Sequence, residues 1–266
     1  EIDSQIINLL KEKYSLEFGK EYLIKRYVDD FFIFTLDKRI QKIVLICLSD
    51  SLSKFNLHFN SLKTEYLSRP FITNKSKVIH SIKLILNNFF KKFLNEENIN
   101  IIKPLLIRDK WKLIRSFIQD IQSECKQNNI SYDEVSGYII STINRRIVKI
   151  ISNEFLDVED EKNYLDSLEC LIDISFFFFK LSPSSNSCYK ISTSIILCIK
   201  FIEKNINSRL TYLSKIIYDH IYQYLLYNEE DCFNNVENYF SIEAINLILV
   251  STELGKDFML PEEMII

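Results

Sequence analysis

Two adjacent aspartates, Asp29 and Asp30, stand inside an otherwise aromatic and β-branched run, Lys25-Arg-Tyr-Val-Asp-Asp-Phe-Phe-Ile-Phe34. In a continuous strand their side chains would point to opposite faces, and burying either charge uncompensated is costly. A hairpin resolves the conflict by setting both at its tip, between a strand Tyr22–Val28 and a strand Phe31–Thr35. Paired carboxylates at a tip suit a hard cation such as Mg²⁺ or Mn²⁺, which prefers oxygen ligands. A pair of such ions activates an attacking hydroxyl and stabilises a departing oxyanion. An ordinary Asp-Asp turn, with Lys25 and Arg26 as solvated neighbours, accounts for the two residues taken alone.

Other candidates are more dispersed. Arg108, Lys112 and Arg115 read as one helix face opposite Trp111 and Ile114, and Arg145, Arg146 and Lys149 repeat the pattern on the next helix. Such faces either track a phosphate backbone or are the solvated sides of amphipathic helices. His58, His80 and His220 each stand alone in sequence, and each reads as structural. Arg209 and His220 are too far apart for the Arg/His pair of a helical ribonuclease. The six cysteines show no CxxC and fall in apolar stretches, which argues against a disulfide framework or zinc site and for a reducing cytoplasm. No run of about 18 apolar residues suggests a membrane span.

The elements that must hold these residues follow from spacing. Residues 1–14 read as a helix, and a second, Lys38–Phe55, lies between the hairpin and a third strand, Leu57–Tyr66, giving an α+β pattern. From about Ser76 the pattern becomes helical and stays so. Ile107, Trp111, Ile114, Ile118 and Ile121 mark an inward stripe of one helix. Ser131–Glu134 reads as a capping box opening the next, with Val135, Ile139 and Ile143 inward. Further helices are expected over 159–181, 187–205, 209–227 and 241–254, the last bracketed by Ser241 and Gly255. The run Phe176–Phe179 reads as core. Three glycines and four prolines in 266 residues fit long, lightly punctuated helices. The expected organisation is an α+β unit over 1–72 and an all-helical, HEAT-like unit over 73–266, predominantly α overall.

Charge is uneven along the chain. Residues 76–156 carry 13 basic and 8 acidic groups, and residues 157–266 carry 8 and 18. A polyanion would be drawn to the middle of the chain and repelled from its last part. The chain opens at Glu1 without a methionine and in a helical pattern, and so reads as a fragment.

Taken whole, Tyr27-Val-Asp-Asp30 with its flanking hydrophobic strands and helices resembles the [YF]xDD hairpin of the reverse transcriptase palm. Leu57-His-Phe-Asn-Ser-Leu-Lys-Thr64 resembles the palm block that follows it. The long helical continuation, with Phe176–Pro183 and the closing Glu253–Glu263, resembles the abortive-infection, antiphage-defence group (AbiK and AbiA types). The resemblance implies an RNA-directed DNA polymerase or nucleotidyltransferase. Asp29 and Asp30 would be catalytic metal ligands, and Tyr27 and Val28 would shape the primer and nucleotide pocket. Lys63 would lie near the incoming phosphates, its other reading being a plain surface lysine. The implied partners are deoxynucleoside triphosphates, DNA, RNA as a further nucleic acid, and a homo-oligomer. The group can be protein-primed and template-independent, yet nothing singles out a priming residue among the fourteen tyrosines. The group also implies another metal-binding aspartate, a nucleotide-binding block and fingers before Glu1, without which this stretch would not polymerise. Two rivals remain: a retron or group II intron type of RNA-directed polymerase, and a non-catalytic helical assembly scaffold.

Overall fold

The computed structural model describes residues 2–60, 63–69, 71, 73–98, 101–152, 160–227, 233–234 and 239–261. Cys232, and the last two residues of the Glu253–Glu263 segment, lie outside them. The chain is predominantly α-helical and divides into two compact units, Glu1–Arg69 and Pro70–Ile266.

The first unit is a hairpin backed by two helices. Helix α1 (Ile2–Tyr14) and helix α2 (Lys38–Ser53) pack on each other, and α2 also meets both strands, β1 (Tyr22–Tyr27) and β2 (Asp30–Thr35). The Arg39 N–H donates to the Asp37 carboxylate at 2.7 Å, capping α2 at its start. Alternation sends Tyr22, Ile24, Phe31 and Ile33 toward Ile6, Leu10, Val44, Cys47, Leu48 and Leu52. The other face of β2 leaves Phe32 and Phe34 exposed.

A third strand over Leu57–Tyr66 is expected from its β-branched and aromatic content, and the structure corrects this. The described residues of that segment form no strand, and the sheet holds β1 and β2 only. Composition suits a strand only where a neighbour accepts its hydrogen bonds.

The second unit is a two-row helical stack. Its helices are α3 (Asn74–Phe90), α4 (Lys110–Gln127), α5 (Asp133–Ile151), α6 (Glu161–Leu181), α7 (Ser185–Asn205), α8 (Leu210–Tyr227) and α9 (Ile242–Ser251). One row runs α3, α5, α7, α9; the other runs α4, α6, α8; sequential pairs join the rows. Each helix therefore buries apolar surface against the next in its row and against its pair partner, as in helical-repeat stacks. An aromatic knot locks α3, α4 and α6. Phe117 lies 4.5 Å from Phe89 and 6.1 Å from Phe178, ring to ring. Phe176, Phe178 and Phe179 are fully buried.

Two local expectations are corrected here. The helical pattern after Ser76 is interrupted by an antiparallel hairpin, β3 (Leu94–Asn98) with β4 (Ile101–Pro104). A second, very short one pairs β5 (Phe233–Asn234) with β6 (Tyr239–Phe240). The Ser131 hydroxyl does not cap α5. Its carbonyl accepts the Glu134 N–H instead, and Tyr132, already helical in backbone, leads directly into the helix. Ser241 does cap α9, accepting the Ala244 N–H at 3.2 Å, and Gly255 takes φ 104° past the helix end.

The five described cysteines are free and buried, and burial pushes the Cys188 and Cys198 thiols up to about 12. No described helix is long and apolar enough to cross a membrane.

Phe117→Ala should lower the stability of the helical unit by about 3–5 kcal/mol, as for a large aromatic removed from a packed core. Urea unfolding followed by far-ultraviolet circular dichroism measures this.

Candidate functional site

The register Tyr27↔Asp30 leaves a two-residue turn, Val28-Asp29. Asp30 is thus the first residue of β2, one position earlier than its sequence context suggests, and Asp29 is in the turn. Val28 has φ 51°, and Asp29 does not take positive φ. Val28, the first of the two turn residues, therefore sits in the left-handed region that favours glycine. Three other described non-glycine residues have positive φ, namely Ser15, Asn56 and Asn129. Val28 alone among them is β-branched, for which this conformation is a genuine outlier and costs on the order of 1–3 kcal/mol.

The turn is held from one side by Arg26. Its Nε–H donates to the Val28 carbonyl at 2.8 Å, and its guanidinium lies 5.1 Å from the centre of the Phe31 ring, its cross-strand neighbour. The cation is therefore spent on the strained turn and on an aromatic face. Both aspartates are exposed, and neither carboxylate has a hydrogen-bond or ion-pair partner among the described residues. Tyr27 and Val28 flank them, 74% and 70% exposed. Such a tip presents two oxygen-donor groups next to an exposed apolar pair. Among the described residues no group of three or more His, Cys, Asp or Glu could enclose a metal. A hard cation here would complete its shell with water, substrate oxygens or further ligands, as Mg²⁺ commonly does.

Lys63 does not close a strand. It lies exposed in a short 3₁₀ segment, its N–H donating to the Asn60 carbonyl at 3.1 Å.

The basic residues of the helical unit divide. Lys112 and Arg115 are exposed in the first turns of α4, but Arg108 lies ahead of the N-cap Asp109 and does not share their helix face; Arg145 and Lys149 are on α5, in the other row. The Arg145 side chain hydrogen-bonds Ser141 and Thr142 of its own helix. Arg146 pairs with Glu96 of β3 and lies over the Phe90 ring at 4.9 Å, so it serves the core rather than a free face. Trp111 reverses its expected place: it is 68% exposed, and Arg115 lies over it rather than opposite, 4.8 Å from the ring centre.

The reason is an ion pair that sequence spacing could not disclose. Lys110, next to Trp111, turns inward to Glu169 of α6, the one buried charged residue among the described residues. Lys110 Nζ also lies 3.7 Å from Asp173, one turn further along α6. From α8, the Tyr212 hydroxyl donates to Glu169 at 3.3 Å, and His220 Nε2 lies 2.8 Å from Asp173. The His220 ring stacks on Phe176 at 4.7 Å. His220 therefore has a carboxylate partner after all, 47 residues away in sequence. The cluster ties α4, α6 and α8, the whole of one row. Burial alone would lower the Lys110 pKa, but the hydrogen bond to Glu169 and the charges of Asp173 and Glu169 outweigh it and raise it.

Two expectations follow. Val28→Gly relieves the turn, so exchange of the β1–β2 ladder amides should slow about fivefold, equivalent to about 1 kcal/mol. Lys110→Met strands Glu169 and should destabilise the helical unit by about 2–4 kcal/mol at neutral pH. A raised folded-state pKa contributes stability fully below the ordinary 10.5 and loses it as pH rises through the folded value. The gap between wild type and Lys110→Met in urea unfolding should therefore close above pH 10.5. No protein-family model matches the chain, and no curated protein and no solved structure matches it either, so the reading of the site rests on its own geometry.

Proposed function

We propose that the β1–β2 hairpin is the metal-binding turn of a reverse-transcriptase-like palm, and that the protein carries out metal-dependent nucleotidyl transfer in antiphage defence. The observation that carries the reading is the tip itself. Two adjacent carboxylates without partners among the described residues stand beside a valine held in a backbone conformation suited to glycine. A hairpin selected only to turn the chain has no use for that strain; a site that must fix two carboxylates beside Tyr27 and Val28 does.

In this reading Asp29 and Asp30 would hold Mg²⁺ or Mn²⁺, which would supply Lewis-acid activation of a primer hydroxyl and charge stabilisation on the leaving pyrophosphate. Tyr27 and Val28 offer an apolar surface to the sugar and base of the primer or incoming nucleotide. Lys63 offers an exposed ammonium to its phosphates. Arg26 positions the turn and is not free to bind substrate. Free, buried thiols support a reducing, cytoplasmic setting.

The test is labelling of the intact protein with radioactive deoxynucleotides and Mg²⁺, without template or primer, beside Asp29→Ala/Asp30→Ala. Wild type should become labelled and the double variant should lose the signal by at least about 100-fold, as expected for lost metal ligands. Val28→Gly should be more stable yet label less, a stability–activity exchange at a strained site. Absence of label from wild type, with primer and RNA template also supplied, would overturn the reading in favour of a helical scaffold.

A further inference from the structure

The outward face of α4 carries a second, separate feature. The chain has one tryptophan, and it stands in solvent on this helix rather than in the core. Trp111, Ile114, Arg115, Ile118, Gln119 and Gln122 line an open groove of about 320 Å³. An exposed indole beside half-buried isoleucines is apolar surface that a protein seldom leaves in water without a partner. Arg115 already lies over the ring, leaving Trp111 a cation-backed aromatic plate.

Charge selects the partner. By helical geometry Lys112, Arg115 and Lys126 share the Trp111 side of α4, over about 22 Å of helix axis. All three are exposed. The carboxylates of α4 itself face elsewhere. Asp120, nine residues and about two and a half turns from Trp111, lies on the opposite side, with Glu124 beyond it. Asp109 is occupied in capping the helix, accepting the Lys112 N–H at 2.9 Å. Gln119 and Gln122 each both donate and accept, as base edges require. A protein partner would favour further exposed apolar anchors; here Ile114 and Ile118 are half-buried, and the exposed side chains beside Trp111 are cations and amides.

We propose that this face of α4 binds single-stranded nucleic acid, with a base stacked on Trp111 and phosphates following Lys112, Arg115 and Lys126. Aromatic plates flanked by basic side chains are how strands are held without sequence preference. The site is in the helical unit and holds whether or not the hairpin transfers nucleotides.

Because Trp111 is the only tryptophan, its fluorescence reports the site directly. Titrating the intact chain with a 20-nucleotide oligothymidylate should quench emission, and the midpoint should rise steeply with salt through counterion release. Binding of the labelled oligonucleotide, read by anisotropy, should weaken about tenfold in Trp111→Ala and in Arg115→Ala. Trp111→Phe should retain most of the affinity, and Asp29→Ala/Asp30→Ala should quench like wild type. Unchanged fluorescence at saturating oligonucleotide would overturn the proposal. So would anisotropy binding that Trp111→Ala leaves intact, since the strand would then lie elsewhere.

Discussion

The row formed by α4, α6 and α8 depends on one buried carboxylate. Glu169 sits in the middle helix, 5% exposed, and a charge taken that far from water must be met by donors or it destabilises the fold. Lys110 meets it from α4 and Tyr212 from α8, while Asp173, one turn along, engages Lys110 and His220. Apolar packing alone leaves a helix some freedom to rotate about its axis, because neighbouring hydrophobic side chains can substitute for one another. A hydrogen-bonded ion pair does not permit that. Fixing Lys110 inward sets the rotation of α4, and with it the direction of every residue on that helix.

Two consequences run outward from this constraint. Trp111, one position on, is turned into solvent with Arg115 above it, so a residue that ordinarily enlarges a core becomes a surface plate. On the inner side Phe117 is delivered to the knot with Phe89 and Phe178, and His220 is drawn flat against Phe176. The polar tie joins α4, α6 and α8 and the aromatic knot joins α3, α4 and α6, so the two meet on α4 and α6 from different directions. The first sets rotation; the second adds ring packing to a core that is otherwise largely aliphatic.

The hairpin unit is organised differently. Its core is small, built on Ile6, Leu10, Tyr22, Val44, Cys47, Leu48 and Leu52, and it supports a turn that is strained. Arg26 contributes by binding the Val28 carbonyl and resting on Phe31, two contacts that would be lost if the turn relaxed. Strain of this kind persists only where the surroundings over-determine it, and here the antiparallel ladder and Arg26 together do so.

Much of this was legible in the order of residues. The helical spacing, the caps at Ser241 and Gly255 and the buried Phe run are all local properties, set by a few neighbouring residues. The hairpin is local too, since two aspartates inside a strand-forming run leave a turn as the favourable arrangement. The expected strand at Leu57–Tyr66 is absent from the described residues because a strand needs a neighbour that composition does not supply. The hairpin of Leu94–Pro104 was missed because neither strand shows clear alternation. Sequence by itself determined most of the helical segments, most of the apolar stripes and that the carboxylate pair must lie at a turn. Only the tertiary structure decided that Lys110 goes in and Trp111 goes out, that His220 finds Asp173, and that Arg146 serves Glu96. Each of those depends on a partner about fifty residues away, and a charge chooses its side of a helix by where its counter-charge is held.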